Sequence, residues 1–131
     1  MNLDSVNLKG ASFERVDLSG ASFCEAQLEG AQLSHASLKG ATLRHAILKD
    51  ATLRETDLSG ADLTGADLTG AQMNKSNLTG AQLIAVTLDG ADLTGAEWSE
   101  ALFKPASMKG ALAPSAPLTT TEGARLNLEG A

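Results

Sequence analysis

The sequence has 131 residues, enough for one domain, and a formal net charge of −6. Hydrophobic residues make up 43% but aromatics only 3%, so any core must be narrow. The negative balance excludes a grip on nucleic-acid phosphates, which needs a basic face, and it permits a basic protein partner.

The chain opens MNLDSVNLKG and is in repeat from that point. Steps of five from Leu3 to Leu118 pass through 24 positions, all of them Leu, Phe, Met or Trp except Ala113. Two residues before each such centre the side chain is small. From Val6 to Ala116 it is Ala except at Val6, Val16, Thr56, Ser76 and Val86. None of the 26 charged residues falls in either phase. A period of five matches neither a helix at 3.6 nor a plain strand at 2. It matches a short strand followed by a corner. The clearest copy is SGADLTGADLTG at 59–70, where Ala-Asp-Leu-Thr-Gly occurs twice in succession.

This unit (Ala, then Asp or Asn, then Leu, then two variable residues) resembles the pentapeptide-repeat family from Leu3 to Leu118. The resemblance implies an all-β fold, a right-handed quadrilateral parallel β-helix with one pentapeptide per side. The large and small residues would point inward and the other three outward. Four units make a coil of twenty residues, so about six coils would stack at roughly 4.8 Å into a solenoid roughly 30 Å long. Residues twenty apart would then form columns, such as Leu43, Leu63 and Leu83 in the core. Ala is expected at the small position because the corner is too crowded for more.

Glycine adds a second period. Of 13 glycines, 12 lie at multiples of five and ten of those at multiples of ten. A Leu-x-Gly-Ala corner puts Gly third in a turn, where a type II turn needs positive φ. The alternate corners carry Ser5, Arg15, Glu25, His35, His45, Glu55 and Lys75, which predicts a different turn type there. The same order accounts for the glycines without any phosphate-binding loop.

Residues 1–20 start the helix directly, with Leu3, Leu8, Phe13 and Leu18 in the first coil. No capping helix precedes them, and the open strand edges leave two readings: the chain pairs through this end as an end-to-end homodimer, or it is a piece of a longer repeat protein. The family's own end-to-end dimers agree with the first. No leader pattern or apolar run of membrane-spanning length occurs, so the expected location is cytoplasmic, with no membrane partner.

Residues 21–60 are the most decorated. Stacking predicts Glu25 beside His45, Cys24 beside Arg44, and the columns Arg15–His35–Glu55–Lys75 and Lys9–Glu29–Lys49. These read first as surface ladders. They also offer a candidate partner-facing patch of His35, Arg44, His45 and Arg54. His35 and His45 are ten apart, on opposite sides, and cannot share one ion. Cys24, Glu25 and His45 fall short of the four-ligand set zinc prefers, so no metal site is expected. Cys24 is the only cysteine, which excludes an internal disulfide.

Residues 61–95 are the most regular. Asp62, Asp67 and Asp92 sit just before their centres, a phase that holds no Lys or Arg. Short polar side chains there can bond to nearby backbone. The alternative is an acidic face built on Asp17, Asp57 and Glu97, in the column Asp17–Ser37–Asp57–Asn77–Glu97.

Residues 96–118 lose regularity. Trp98 and Phe103 enlarge the core, Ala113 underfills it, and Pro105, Pro114 and Pro117 mark an edge. The β-helix is therefore assigned to 1–118. Residues 119–131 read as an irregular C-terminal cap, a frayed coil, a tail, or the start of a continuation.

No catalytic or cofactor-binding constellation is present, and a rod with a filled core offers no pocket. The sequence points to a non-enzymatic structural or protein-interaction module without a cofactor and with an unknown protein partner. The alternative, implied by some family members, is a DNA mimic that binds DNA gyrase and modulates it in the manner of quinolone resistance. A third reading, suggested by cyanobacterial relatives, is control of a differentiation or stress pathway through a protein partner.

Overall fold

The structure, a computed structural model, describes residues 1–104, 106–113 and 126–127. Among them every bridge joins residues twenty apart, in parallel. Asn2 pairs with Ser22, Asn7 with Gln27, Ser12 with Gln32 and Asp17 with Ser37; Ser22 to Thr42 then begins the next round. Two bridges lengthen into short strands. β1 (Gln82–Leu83) pairs with β2 (Leu102–Phe103), and β3 (Ala106–Ser107) with β4 (Leu126–Asn127). No α-helix occurs among the described residues. The architecture is a parallel β-helix. The readings of Pro105, Pro114, Pro117, Leu118, Thr119–Gly123 and Leu128–Ala131 lie outside the described residues.

Backbone hydrogen bonds show why a five-residue unit suffices. The N–H before the centre donates downward, as from Ser37 to the Val16 carbonyl at 3.0 Å. The centre donates upward, as from Leu18 to Ser37 at 2.7 Å, and so does the corner, as from Gly20 to Lys39 at 2.9 Å. The small residue closes the turn, as from Ala21 to Leu18 at 3.1 Å. That leaves one N–H per unit, at the first turn position, for side chains to satisfy.

The core follows the two inward phases. Centres from Leu18 to Met108 are buried, with Trp98 the most exposed at 4%. Trp98 and Phe103 meet edge to face, ring centroids 5.5 Å apart. The small positions from Ala21 to Ala111 are buried as well. They are less crowded than expected: Val86 is 1% exposed, and Thr56 fits with its hydroxyl donating to the Leu33 carbonyl at 2.7 Å. In the first coil Leu3, Leu8 and Phe13 are only half-buried, and Val6 and Val16 are exposed at 38% and 41%.

The corners correct the expectation of two turn types. Glycines at the third turn position have φ of 64° to 73°, and the other residues there have 54° to 63°. Both sets close the same turn, Ala11 to Leu8 at 3.0 Å over Gly10 and Val16 to Phe13 at 3.1 Å over Arg15. An L-residue in the left-handed region costs roughly 1–2 kcal/mol. The ladders above and below hold each corner, so position rather than residue type sets its conformation.

Candidate interaction surfaces

The outward side chains first complete the backbone. Asp17, Asp57, Asp62, Asp67 and Asp92 each accept the spare N–H two residues on through Oδ1, at 2.9 to 3.0 Å. Asn2, Asn7 and Asn77 do the same. The Thr64, Thr69 and Thr94 hydroxyls donate to the same oxygen at 2.6 Å. This is why short Asx residues recur before the centre. At Ser22 and Ser107 the cap comes instead from the coil below: Asp4 accepts from the Cys24 N–H at 2.8 Å, and Asp89 from the Lys109 N–H at 2.9 Å. The last arrangement was not apparent in the sequence, because donor and acceptor are twenty residues apart.

These bonds set the carboxyl electrostatics. The Ser19 hydroxyl and N–H hold Asp17 below the usual carboxylate range. Burial pushes Asp62 up, but the Thr64 hydroxyl, the Thr64 N–H and the Arg44 charge more than offset it and leave it lowered. Asp92 is lowered by the Thr94 hydroxyl and N–H against some desolvation, with help from Asn74 and Arg54.

The candidate patch divides in two. Arg44 and His45 share one corner, where Arg44 Nη1 donates to Asp62 Oδ2 at 3.2 Å. The His45 ring lies over Gly65, where an added Cβ would collide with it. Half a coil away, His35 Nδ1 lies 3.6 Å from Glu55 Oε2, in the corner column next to that of Arg54. The Lys9–Glu29 pair also forms, at 3.6 Å. Asp17, Asp57 and Glu97 lie in one continuous ladder through Ser37 and Asn77.

Gly65 and Gly95 stand apart from the ten-residue glycine series. Each lies above a larger corner residue twenty positions earlier, His45 and Lys75, whose side chain fills the space a Cβ would take. Among the described residues no three His, Cys, Asp or Glu side chains are grouped to hold a metal ion, and no helix is long and apolar enough to cross a membrane. A shallow groove lined by Ala85, Val86, Thr87, Ala106 and Ser107 carries no ionisable side chain.

A filled core under ladders of outward side chains defines a solenoid repeat protein. The pentapeptide-repeat family model matches residues 2–40, 36–74, 46–83 and 81–111, eight copies in all, and the chain belongs to that family. Members form right-handed β-helices, which is the fold described above. Solved structures that resemble this chain include HetL of the cyanobacterium Nostoc sp. strain PCC 7120, a pentapeptide repeat protein involved in heterocyst differentiation regulation. It is 24% identical, covering 99% of this chain and 86% of its own, with a TM-score of 0.39. Rfr23 of the cyanobacterium Cyanothece 51142 is 28% identical over 96% of this chain and 88% of its own, at 0.36. QnrB1, a plasmid-mediated fluoroquinolone resistance protein, is 17% identical over 98% and 82%, at 0.39. No curated protein sequence gives a significant match.

Proposed function

We propose that this chain is a non-enzymatic protein-interaction module, a quadrilateral rod of about six coils whose sides dock a protein partner. The observation that carries this reading is the use made of the residues. Inward positions are filled with apolar side chains, and outward positions form ladders on a backbone that is bonded coil to coil. Such a surface is rigid before a partner arrives, which reduces the ordering cost of binding. The edge carrying Arg44 and His45 is one docking candidate, and the edge carrying His35 and Arg54 is the other. Affinity capture from the native host with the unaltered chain, an R44A/H45A variant and an H35A/R54A variant tests this. Loss of a specific partner with either variant supports the reading, and identical partner sets for all three remove both edges.

The second reading is gyrase binding by DNA mimicry. It is favoured by the net charge of −6 and by the ladder that holds Asp17, Asp57 and Glu97. Titrating the protein into a gyrase supercoiling assay decides it, and no effect at large excess eliminates it. An end-to-end homodimer would lengthen the rod, and the half-buried first coil supports one. Light scattering across a concentration series should give twice the chain mass at high concentration; a single-chain mass throughout rejects the dimer.

A further inference from the structure

Outward positions of this rod are polar almost throughout. Up to residue 113 the aliphatic exceptions are Ile47, Ile84, Ala85, Leu102 and Leu112, and three of the five share one corner. That corner lies on the edge of Arg44 and His45, with Ile84 two coils above Arg44 and Ala85 two coils above His45.

Lower on this edge a diagonal of polar side chains joins neighbouring coils. Asp4 accepts from the Ser22 hydroxyl eighteen residues on, and Arg44 donates to Asp62. Ile84 and Leu102 hold the same two places higher up, and both are half-buried. Ala85 beside them is exposed in the left-handed region at φ 55°, so this corner carries only a methyl group. The core is complete without them, since Leu83, Val86 and Phe103 have no more than 1% exposure. The groove of Ala85, Val86, Thr87, Ala106 and Ser107 opens next to this patch, with a volume of about 280 Å³. Sites for whole small molecules run from about 300 Å³ upward, so this one suits a single side chain.

Cations flank the patch along the edge. Lys104 stands one coil above Ile84, exposed and without an ion-pair partner among the described residues. Arg44 engages Asp62 through Nη1, which leaves other donors of its fork open. The carboxylates of the coil below are engaged already, Asp62 by Arg44 and Asp67 by the N–H and hydroxyl of Thr69. Lys104 and Arg44 are three coils apart, about 14 Å, which an extended chain covers in about four residues.

We infer that this patch docks an extended segment of a protein partner, with one aliphatic side chain in the groove and an acidic residue on either side for Lys104 and Arg44. The inference rests on the interaction-module reading and gives the Arg44–His45 edge its partner chemistry.

Titrating the capped peptide Asp-Thr-Leu-Thr-Asp into the isotope-labelled whole chain, followed by amide NMR shifts, tests this. Shifts should gather at Ile84, Ala85, Thr87, Leu102 and Ser107, with a Kd of about 1 mM or tighter. Ala in place of the peptide's Leu should weaken binding roughly tenfold. Lys in place of both Asp residues should weaken it by roughly as much, and added salt should weaken the acidic peptide alone. An Ile84→Ser/Leu102→Ser variant, altered only at outward positions, should keep its other amide shifts and lose the peptide. No shift at the patch, or equal binding of the Lys-flanked peptide, overturns the inference. So does movement of the same amides on diluting the protein without peptide, which would assign the patch to a second copy. If the peptide fails while the R44A/H45A variant still loses a partner in affinity capture, this inference falls and the interaction-module reading stands.

Discussion

Val16 and Val86 occupy the same phase of the same repeat, yet Val16 is 41% exposed and Val86 is 1% exposed. The first coil and the middle coils differ throughout in this way. Leu3, Leu8 and Phe13 are half-buried, while Leu63, Leu68 and Met73 have no more than 1% exposure. Nothing in the five-residue unit distinguishes them. A solenoid repeat cannot bury its own inward side chains, and the coil on each side does that for it. Burial here belongs to the stack.

The comparison breaks first under a charge. Leu63→Lys places an unpaired ammonium between two coils and should cost at least about 4 kcal/mol, which would unfold much of the rod. Leu3→Lys should cost about 1 kcal/mol or less, because its side chain reaches water. Urea unfolding of both variants checks the contrast, and similar losses would mean the first coil is as closed as the middle. A finer test uses the two valines themselves. Val86→Ala removes two buried methyl groups and should cost about 1.5 kcal/mol, and Val16→Ala about half of that or less.

The corners sharpen the contrast further. Gly10 and Gly65 share a positive φ, but an added Cβ meets nothing within 4 Å at Gly10 and the His45 ring at Gly65. Both alanine variants should lose about 1 kcal/mol from the left-handed backbone. Gly65→Ala should lose roughly 0.5 kcal/mol more, since the ring must leave its rotamer, and adding His45→Ala should close that gap. Thermal unfolding of the four proteins measures it.

The smallest effect is acid sensitivity. Asp17 in the first coil and Asp62 in the middle are both held below the ordinary carboxylate range. A lowered folded pKa stabilises above the unfolded value and loses that contribution as pH falls through the folded value. Stability should therefore decline as pH drops below about 4. Asp17→Asn and Asp62→Asn should each flatten that decline. Salt should weaken only the Asp62 share, because Arg44 contributes there.

Much of the fold is legible in the sequence, since the phases of Leu63 and Ala61 recur with few exceptions and no charge enters them. The Asp17–Ser37–Asp57–Asn77–Glu97 column and the His35–Glu55 neighbours also follow from the period alone. What the period cannot give is conformation at a corner. Glu25 and His45 adopt the glycine-like φ because bonds to Arg44 and Thr64 hold them there, and those partners are nineteen residues away. The diagonal from Arg44 to Asp62 is hidden for the same reason, because it depends on how far a side chain leans toward the next coil. The patch of His35, Arg44, His45 and Arg54 is close in sequence but occupies two edges half a coil apart, since ten residues carry the chain to the opposite side.

Amide hydrogen exchange tests most directly the claim that each coil is completed by its neighbours, at concentrations where light scattering reads a single chain. The N–H groups of Ser22, Gln27, Gln32 and Ser37 donate to carbonyls of the coil below and should exchange slowly. The equivalent groups of Asn2, Asn7, Ser12 and Asp17 make no such bond and should exchange orders of magnitude faster, although their sequence phase is identical. Equal protection of the two sets would contradict the account, because it would place a partner strand beneath the first coil that the stack does not contain.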